Sequence, residues 1–264
     1  MKKLLRGHEN FRETFVSEHR ELLEELSHHQ KPRVLFITCS DSRVDPNLIT
    51  QAGIGELFVI RNAGNLIPPF GAANGGEGAA VEYAIAALKI EQIIVCGHSH
   101  CGAMKGLLQL GKLEEQMPLV YDWLRHADAT LRLVKENYSQ YSGDQLLEVT
   151  IAENVLTQIE NLKTYPVVRS KMFQGKLNIY GWVYHLETGE VLSYDSETHQ
   201  YTAPQSQLMA SSRVVSTAPP VVCNLPYHDD DDAAAPLHEQ SDVAPWLSAE
   251  QVERIYRGSA ASTR

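Results

Sequence analysis

The 264-residue chain carries 23 Lys and Arg against 33 Asp and Glu, a formal net charge of -10, and so lacks the broad basic surface that nucleic-acid binding needs. Hydrophobic residues are 43% and charged residues 21%, as in a soluble globular chain with one large α/β core and extensions. Apolar runs such as Val34 to Ile37 are strand-sized, and MKKLLRGHENFRE has no apolar stretch behind its positive start, so neither a membrane span nor a secretory signal is expected.

Residues 8 to 29 place Phe11, Phe15, His19, Leu22, Leu23 and Leu26 at helical spacing, which predicts one amphipathic helix packed on something larger. Pro32 ends it. VLFIT (34–38) reads as a buried central strand and LFVIR (57–61) as a second. GGEGAAVEYAIAAL (75–88) is a helix with small residues at Gly75, Gly76, Gly78, Ala79 and Ala80, which permit close packing on a sheet or on a partner chain. QIIVC (92–96) is a third strand that opens into GHSHCG, and another helix begins within 101–109. Strand, loop and helix in series predict a mostly parallel α/β sheet with crossover connections. Residues 119–136 and 144–163 are helical by period. LNIYGWVYHL (177–186), the turn ETG (187–189) and EVLSYD (190–195) predict an antiparallel hairpin added to the sheet.

Composition changes after residue 200. Six of the twelve prolines lie from Pro204 to Pro245, and DDDDAAA (229–235) is low in complexity, so 201–245 reads as an extended linker behind a folded domain of residues 1–200. Helical periodicity returns in WLSAEQVERIYRGS (246–259), where Trp246, Leu247, Val252, Ile255 and Tyr256 make one apolar face, and residues 260–264 show no recognisable feature. A helix behind a loose tether reads as a docking peptide over 246–264, as a segment folded back on its own domain, or as a frayed tail.

The chemistry lies in two loops that follow strands, CSDSR (39–43) and GHSHCG (97–102). In parallel α/β sheets such loops gather at the carboxyl ends of the strands and can meet in one crevice. Cys39 and Cys101 offer thiolates, His98 an imidazole and Asp41 a carboxylate, a sensible tetrahedral set for Zn2+. Two thiolates already neutralise the ion, so Asp41 is the ligand most easily released. Arg43, two residues on, is a fixed cation with a bidentate fork ready to take it. Water entering in its place would lose a proton far more readily than in bulk and become a hydroxide able to attack a small electrophile. The spacing also admits, as the lesser alternative, a structural zinc held by four protein ligands. Cys96 closes an apolar run and reads as a small buried hydrophobe, and His100 as a surface residue or a support behind the ligands. Cys223 falls in the linker and receives no metal role.

These motifs together resemble the β-class carbonic anhydrases over about residues 8–200: the CxDxR loop, FVIRNAGN (58–65), EGAAVEYA (77–84) and HxxC after an apolar strand. The resemblance implies one Zn2+ per subunit on Cys39, His98 and Cys101, with Asp41 exchanging between zinc and Arg43, and interconversion of CO2 and bicarbonate by a zinc-bound hydroxide. It implies that Gln30 holds substrate or bicarbonate, and that Phe58, Ala63 and Tyr83 line a small apolar pocket, with Ala63 where relatives often carry valine. It further implies a homodimer as the minimum unit, building to tetramers or hexamers, with Gln30 and Tyr83 reaching across the subunit boundary. NLIPPFGAANGGEGAA is more similar to plant and cyanobacterial members than to allosteric bacterial ones, which implies an open type of site. QVERIYRGS (251–259) resembles the tail of the carboxysomal enzymes. That resemblance implies docking to a carboxysome scaffold protein through Trp246, Val252, Ile255, Tyr256 and Arg257, inside the cytoplasmic carboxysome, with CO2 supplied to Rubisco. Two other readings share these features: a zinc-stabilised adaptor without catalysis, and a hydrolase of carbon disulfide or carbonyl sulfide.

Overall fold

The computed structural model describes residues 1–72 and 75–204, so Cys223 and the docking residues Trp246, Val252, Ile255, Tyr256 and Arg257 lie outside the described residues. Among the described residues no helix is long and apolar enough to cross a membrane.

The amino-terminal arm is three helical segments rather than one: α1 (Lys2–Glu13), α2 (Phe15–Glu18) and α3 (Arg20–His28). The breaks fall where side chains compete for helix carbonyls. Thr14 Oγ1 donates to the Asn10 carbonyl at 2.7 Å, and Ser17 Oγ lies 2.7 Å from the carbonyls of Glu13 and Thr14. Such back-bonding bends a helix and loosens its ladder. Phe11, Phe15 and His19 stack in sequence with ring centroids 5.3 and 4.1 Å apart, so the predicted periodicity survives the breaks. None of the three segments has a fully buried residue, and Leu4, Leu5 and Phe11 are exposed, so the apolar stripe is left largely uncovered within one chain.

Among the described residues the core is a six-stranded sheet in the order β2-β1-β3-β4-β5-β6. It comprises β1 (Val34–Cys39), β2 (Leu57–Asn62), β3 (Gln92–His98), β4 (Asn178–Tyr184), β5 (Val191–Asp195) and β6 (Gln200–Thr202). The first four are parallel, and β5 and β6 are added antiparallel, as the hairpin pattern predicts. Strand β6 crosses residue 200 and was not legible as a strand. The chain leaves β1 to one side for β2, then crosses back to the other side for β3. The switch point thus falls between β1 and β3, whose carboxyl ends carry Cys39 and His98.

Alternating residues of β1 and β3 serve the two faces. Leu35, Ile37, Ile93 and Val95 enter the main core, whereas Phe36, Ile94 and Cys96 form a smaller cluster with Trp182 and Tyr184. The main face is covered by α5 (Gly76–Ala86), α6 (Gly102–Leu107), α7 (Leu113–Gln116), α8 (Pro118–Leu124), α9 (Asp128–Asn137), α10 (Gly143–Lys163) and α11 (Pro166–Phe173). The predicted helix over 119–136 is broken by a 3₁₀ turn at Arg125–Ala127. A short helix α4 (Pro46–Thr50) and α11 were missed, although each opens on a proline, where the absent N–H costs nothing. Asp45 caps α4, its Oδ1 accepting from Leu48 N at 3.1 Å. Helix α10 lies hard on β3: a β-carbon at Gly97 would stand 2.9 Å from Val155 Cγ2, so only glycine permits this approach.

Glu153 is buried in α10 and accepts a hydrogen bond from the Tyr138 hydroxyl at 2.8 Å. Burial pushes its carboxyl up to about 7 from an ordinary 4.5. The folded state therefore holds a proton that the unfolded chain releases, and stability is lost as pH rises through that window. Glu153→Gln cannot ionise and is expected to gain on wild type by about 3 kcal/mol between pH ~4.5 and ~7. Urea unfolding of both proteins near the two ends of that window checks this; a constant difference between them would contradict it.

Candidate metal centre

Strand β1 delivers Cys39 at its last residue and β3 delivers His98 at its last residue. The two-residue step Ser99–His100 then leads to Cys101, immediately ahead of α6. The ligand atoms of Cys39, His98 and Cys101 lie within 4.8 Å of one another, and all three residues are buried. His98 Nδ1 is 2.9 Å from the Ser99 carbonyl. A carbonyl only accepts, so Nδ1 carries the proton and Nε2 keeps its lone pair. That Nε2 is buried with no hydrogen-bond partner, an unfavourable state unless a metal takes the lone pair. Two sulfurs and an orphaned imidazole nitrogen fit Zn2+.

The thiols are shifted in opposite directions. A hydrogen bond from Cys101 holds Cys39 well below the ordinary range against the opposing effect of burial, with the main-chain N–H groups of Gly64 and Asp41 adding to it. Cys101 is pushed up by the same bond and by burial. The pair therefore carries one thiolate ready to ligate. Gly64 N donates to Cys39 Sγ at 3.5 Å, and Asn154 Nδ2 in α10 holds the Gly64 carbonyl at 3.0 Å.

Asp41 turns to Arg43. Its Oδ1 accepts from Arg43 Nε at 2.9 Å and from Arg43 N at 3.0 Å, and its Oδ2 accepts from Arg43 Nη2 at 2.7 Å. The guanidinium holds the carboxyl far below the usual carboxylate range, so it stays ionised and paired wherever the protein is folded at ordinary pH. Oδ2 nevertheless remains 3.9 Å from His98 Nε2. The two metal loops are pinned to each other and to β2 through main-chain oxygens. Arg43 Nη2 reaches the His100 carbonyl at 3.3 Å, Arg61 Nε the Cys39 carbonyl at 3.1 Å, and Arg61 Nη2 the Asp41 carbonyl at 2.8 Å. Arg61, Gly64 and Asn154 escaped the sequence reading, because nothing local distinguishes a residue that acts on a distant carbonyl.

Among the other expected site residues, Gln30, Phe58 and Tyr83 stand apart from the ligands within one chain, whereas Ala63 sits between Asn62, the register partner of Cys39, and Gly64. Gln30 is exposed ahead of β1, at the end opposite Cys39. Phe58 pairs with Leu35, four residues before Cys39, or roughly 13 Å along the strand. Its ring centroid is 6.1 Å from that of Tyr83 on α5. Ala63 is exposed, its carbonyl accepting from Trp123 Nε1 at 2.8 Å. Cys96 is the inert thiol expected, fully buried on the other face and pushed up to about 12 by burial. His100 is half exposed and bonds Glu187.

A thiolate–imidazole set at the switch point of a parallel sheet defines a zinc protein of the α/β class. Comparison with known proteins narrows the class. The family model described as carbonic anhydrase matches residues 34–191. Carbonic anhydrases of Synechococcus elongatus and Synechocystis sp. are 57% and 55% identical, each match covering 98% of this chain and 100% of the relative. The solved structure of the β-carbonic anhydrase CcaA superposes with a TM-score of 0.77 at 63% identity, covering 77% of this chain and 99% of that one. The β-carbonic anhydrase CafA of Aspergillus fumigatus superposes with a TM-score of 0.67 at 26% identity, covering 79% and 95%. The chain belongs to the carbonic anhydrases, in their β class. It is a zinc-dependent enzyme, with one metal site per subunit, that interconverts CO2 and bicarbonate.

Proposed function

We propose that the reaction runs at an open Cys39–His98–Cys101 centre gated by Asp41 and Arg43, in an oligomer housed inside a carboxysome. The bidentate Asp41–Arg43 pair carries this reading, since it leaves three protein donors, the ligand count of catalytic rather than structural zinc. When bound there, zinc supplies the Lewis acidity that makes water a nucleophile at moderate pH. Asp41, kept ionised by Arg43, can only accept a hydrogen bond. It thereby orients a proton-bearing nucleophile with its lone pair turned towards CO2. Arg43 holds the carboxylate in that role and frees it from the metal.

Gln30, Phe58, Ala63 and Tyr83 form the substrate pocket in this reading. Gln30 and the Phe58–Tyr83 pair lie towards the opposite end of β1 and β2 from Cys39, so a second copy brings them to the metal. The uncovered Leu4, Leu5 and Phe11 of the arm and the exposed Val59 and Tyr83 supply apolar surface for that contact. Docking of residues 246–264 to a scaffold protein then holds the oligomer in the carboxysome of the cytoplasm, where dehydration of bicarbonate feeds Rubisco.

Stopped-flow CO2 hydration by the full-length, zinc-quantified protein tests the proposal. Fast turnover is expected at concentrations that keep the oligomer. Specific activity should fall on dilution into monomer, and the same chain should co-sediment with carboxysomes. Zinc-loaded, reduced, oligomeric protein without turnover would sink the catalytic reading, and undiminished activity of a monomer would sink the shared pocket.

A further inference from the structure

The step from His98 to Cys101 is short, and it is strained. His100 sits at φ 53, in the left-handed region, which is disfavoured for a side chain with a β-carbon. Strain of this kind persists only where surrounding contacts over-determine it. Two groups do so here. Arg43 Nη2 holds the His100 carbonyl at 3.3 Å. The other is Glu187, the first residue of the ETG turn after β4, far along the chain.

Both residues between the two zinc ligands are gripped by the Glu187 carboxylate. Its Oε2 accepts from Ser99 Oγ at 2.9 Å, and its Oε1 meets His100 Nε2. Ser99 is buried and doubly tied to the same hairpin. Its hydroxyl accepts from Leu186 N at 2.9 Å, and its own N–H donates to the Tyr184 carbonyl at 2.9 Å. The Ser99 carbonyl in turn fixes the His98 ring through Nδ1. The carboxylate touches neither ligand atom, yet each ligand is one residue from a group it holds.

We propose that Glu187 is a positioning residue for the zinc centre: by bridging Ser99 and His100 it holds the left-handed step and so sets the placement of His98 and Cys101 around the metal. The proposal rests on the zinc reading of the site and not on CO2 chemistry. Supports behind metal ligands typically change metal affinity or activity by about 10–100-fold when removed. Glu187→Ala should act in that range, whereas Glu187→Gln should act little. The amide oxygen of glutamine can accept from Ser99 Oγ, and its nitrogen can donate to the His100 ring.

The test uses the full-length protein and its Glu187→Ala, Glu187→Gln and Ser99→Ala variants. Zinc affinity is measured by chelator competition, and the visible spectrum is recorded after Co2+ substitution. Glu187→Ala is expected to weaken zinc binding at least 10-fold, to shift the Co2+ bands and to lower kcat with KM little changed, with Glu187→Gln restoring all three. Wild-type zinc affinity and Co2+ bands in Glu187→Ala would overturn the proposal, even if its Tm fell, leaving Glu187 a turn residue only. A glutamine variant no better than alanine would overturn the bridging role. Should Glu187→Ala fail to fold, Ser99→Ala removes the same bridge from the loop side, and unchanged zinc affinity there is equally fatal. Loss of CO2 hydration with normal metal binding in wild type would instead count against the reaction assigned to the site.

Discussion

Asp41→Asn is expected to hydrate CO2 at least ~100-fold more slowly than wild type while keeping one zinc per subunit, since a positioned proton acceptor contributes about 10²–10⁴-fold. Asparagine preserves size and loses charge. One of its side-chain atoms becomes an N–H donor facing the Arg43 fork, where both carboxylate oxygens now accept. Charge-assisted bidentate pairing cannot be rebuilt from an amide. Cys39, His98 and Cys101 are untouched, so metal content should not change. Stopped-flow hydration near pH ~8.5, with zinc quantified on the same sample, separates the outcomes. Full activity would remove Asp41 from the mechanism. Zinc lost together with activity would make it a ligand rather than a gate.

The second large effect is expected at Gly64. This residue has φ 85, and a β-carbon there would lie 2.8 Å from Met104 Cε and 3.1 Å from Ala103 Cβ. Met104 Cε ends a flexible chain and can move, whereas Ala103 Cβ is fixed to helix α6. The left-handed backbone costs about 1–2 kcal/mol for any residue but glycine, and overpacking adds about 1–3. Gly64→Ala should therefore lose about 2–5 kcal/mol of unfolding free energy by urea titration. It should also bind zinc more weakly, because Gly64 N is one of the main-chain donors to Cys39 Sγ. Stability within about 0.5 kcal/mol of wild type, the range of a neutral surface change, would contradict the packing argument.

The strands and the metal loops were legible because their signals are local. VLFIT, LFVIR and QIIVC are apolar runs of strand length, and Cys39, His98 and Cys101 stand where strands end. Helices α4 and α11 were missed though their signals were present, an Asp45–Pro46 start in one and Pro166 in the other. The single amino-terminal helix was an over-reading: periodicity reports a face, not an unbroken ladder, and Thr14 and Ser17 interrupt the ladder from within. The supports of the centre were illegible for a different reason. Arg61, Asn154 and Glu187 act through contacts 20 to 90 residues away in sequence, and each is an ordinary polar residue in its own segment. Gln30, Phe58 and Tyr83 came from family likeness alone. No local pattern marks a residue that stands far from the metal in its own chain.

The loops that carry the metal are secured by their peptide groups. The carbonyls of Cys39, Asp41 and His100 take the two arginines, that of Ser99 takes His98, and that of Gly64 takes Asn154. Ser40 and Ser42 are exposed, and their hydroxyls make no hydrogen bond among the described residues. The two loops are thus held in different ways: the first keeps its place through main-chain carbonyls without the Ser40 and Ser42 hydroxyls, whereas the second also hangs on the side chains of Ser99 and His100.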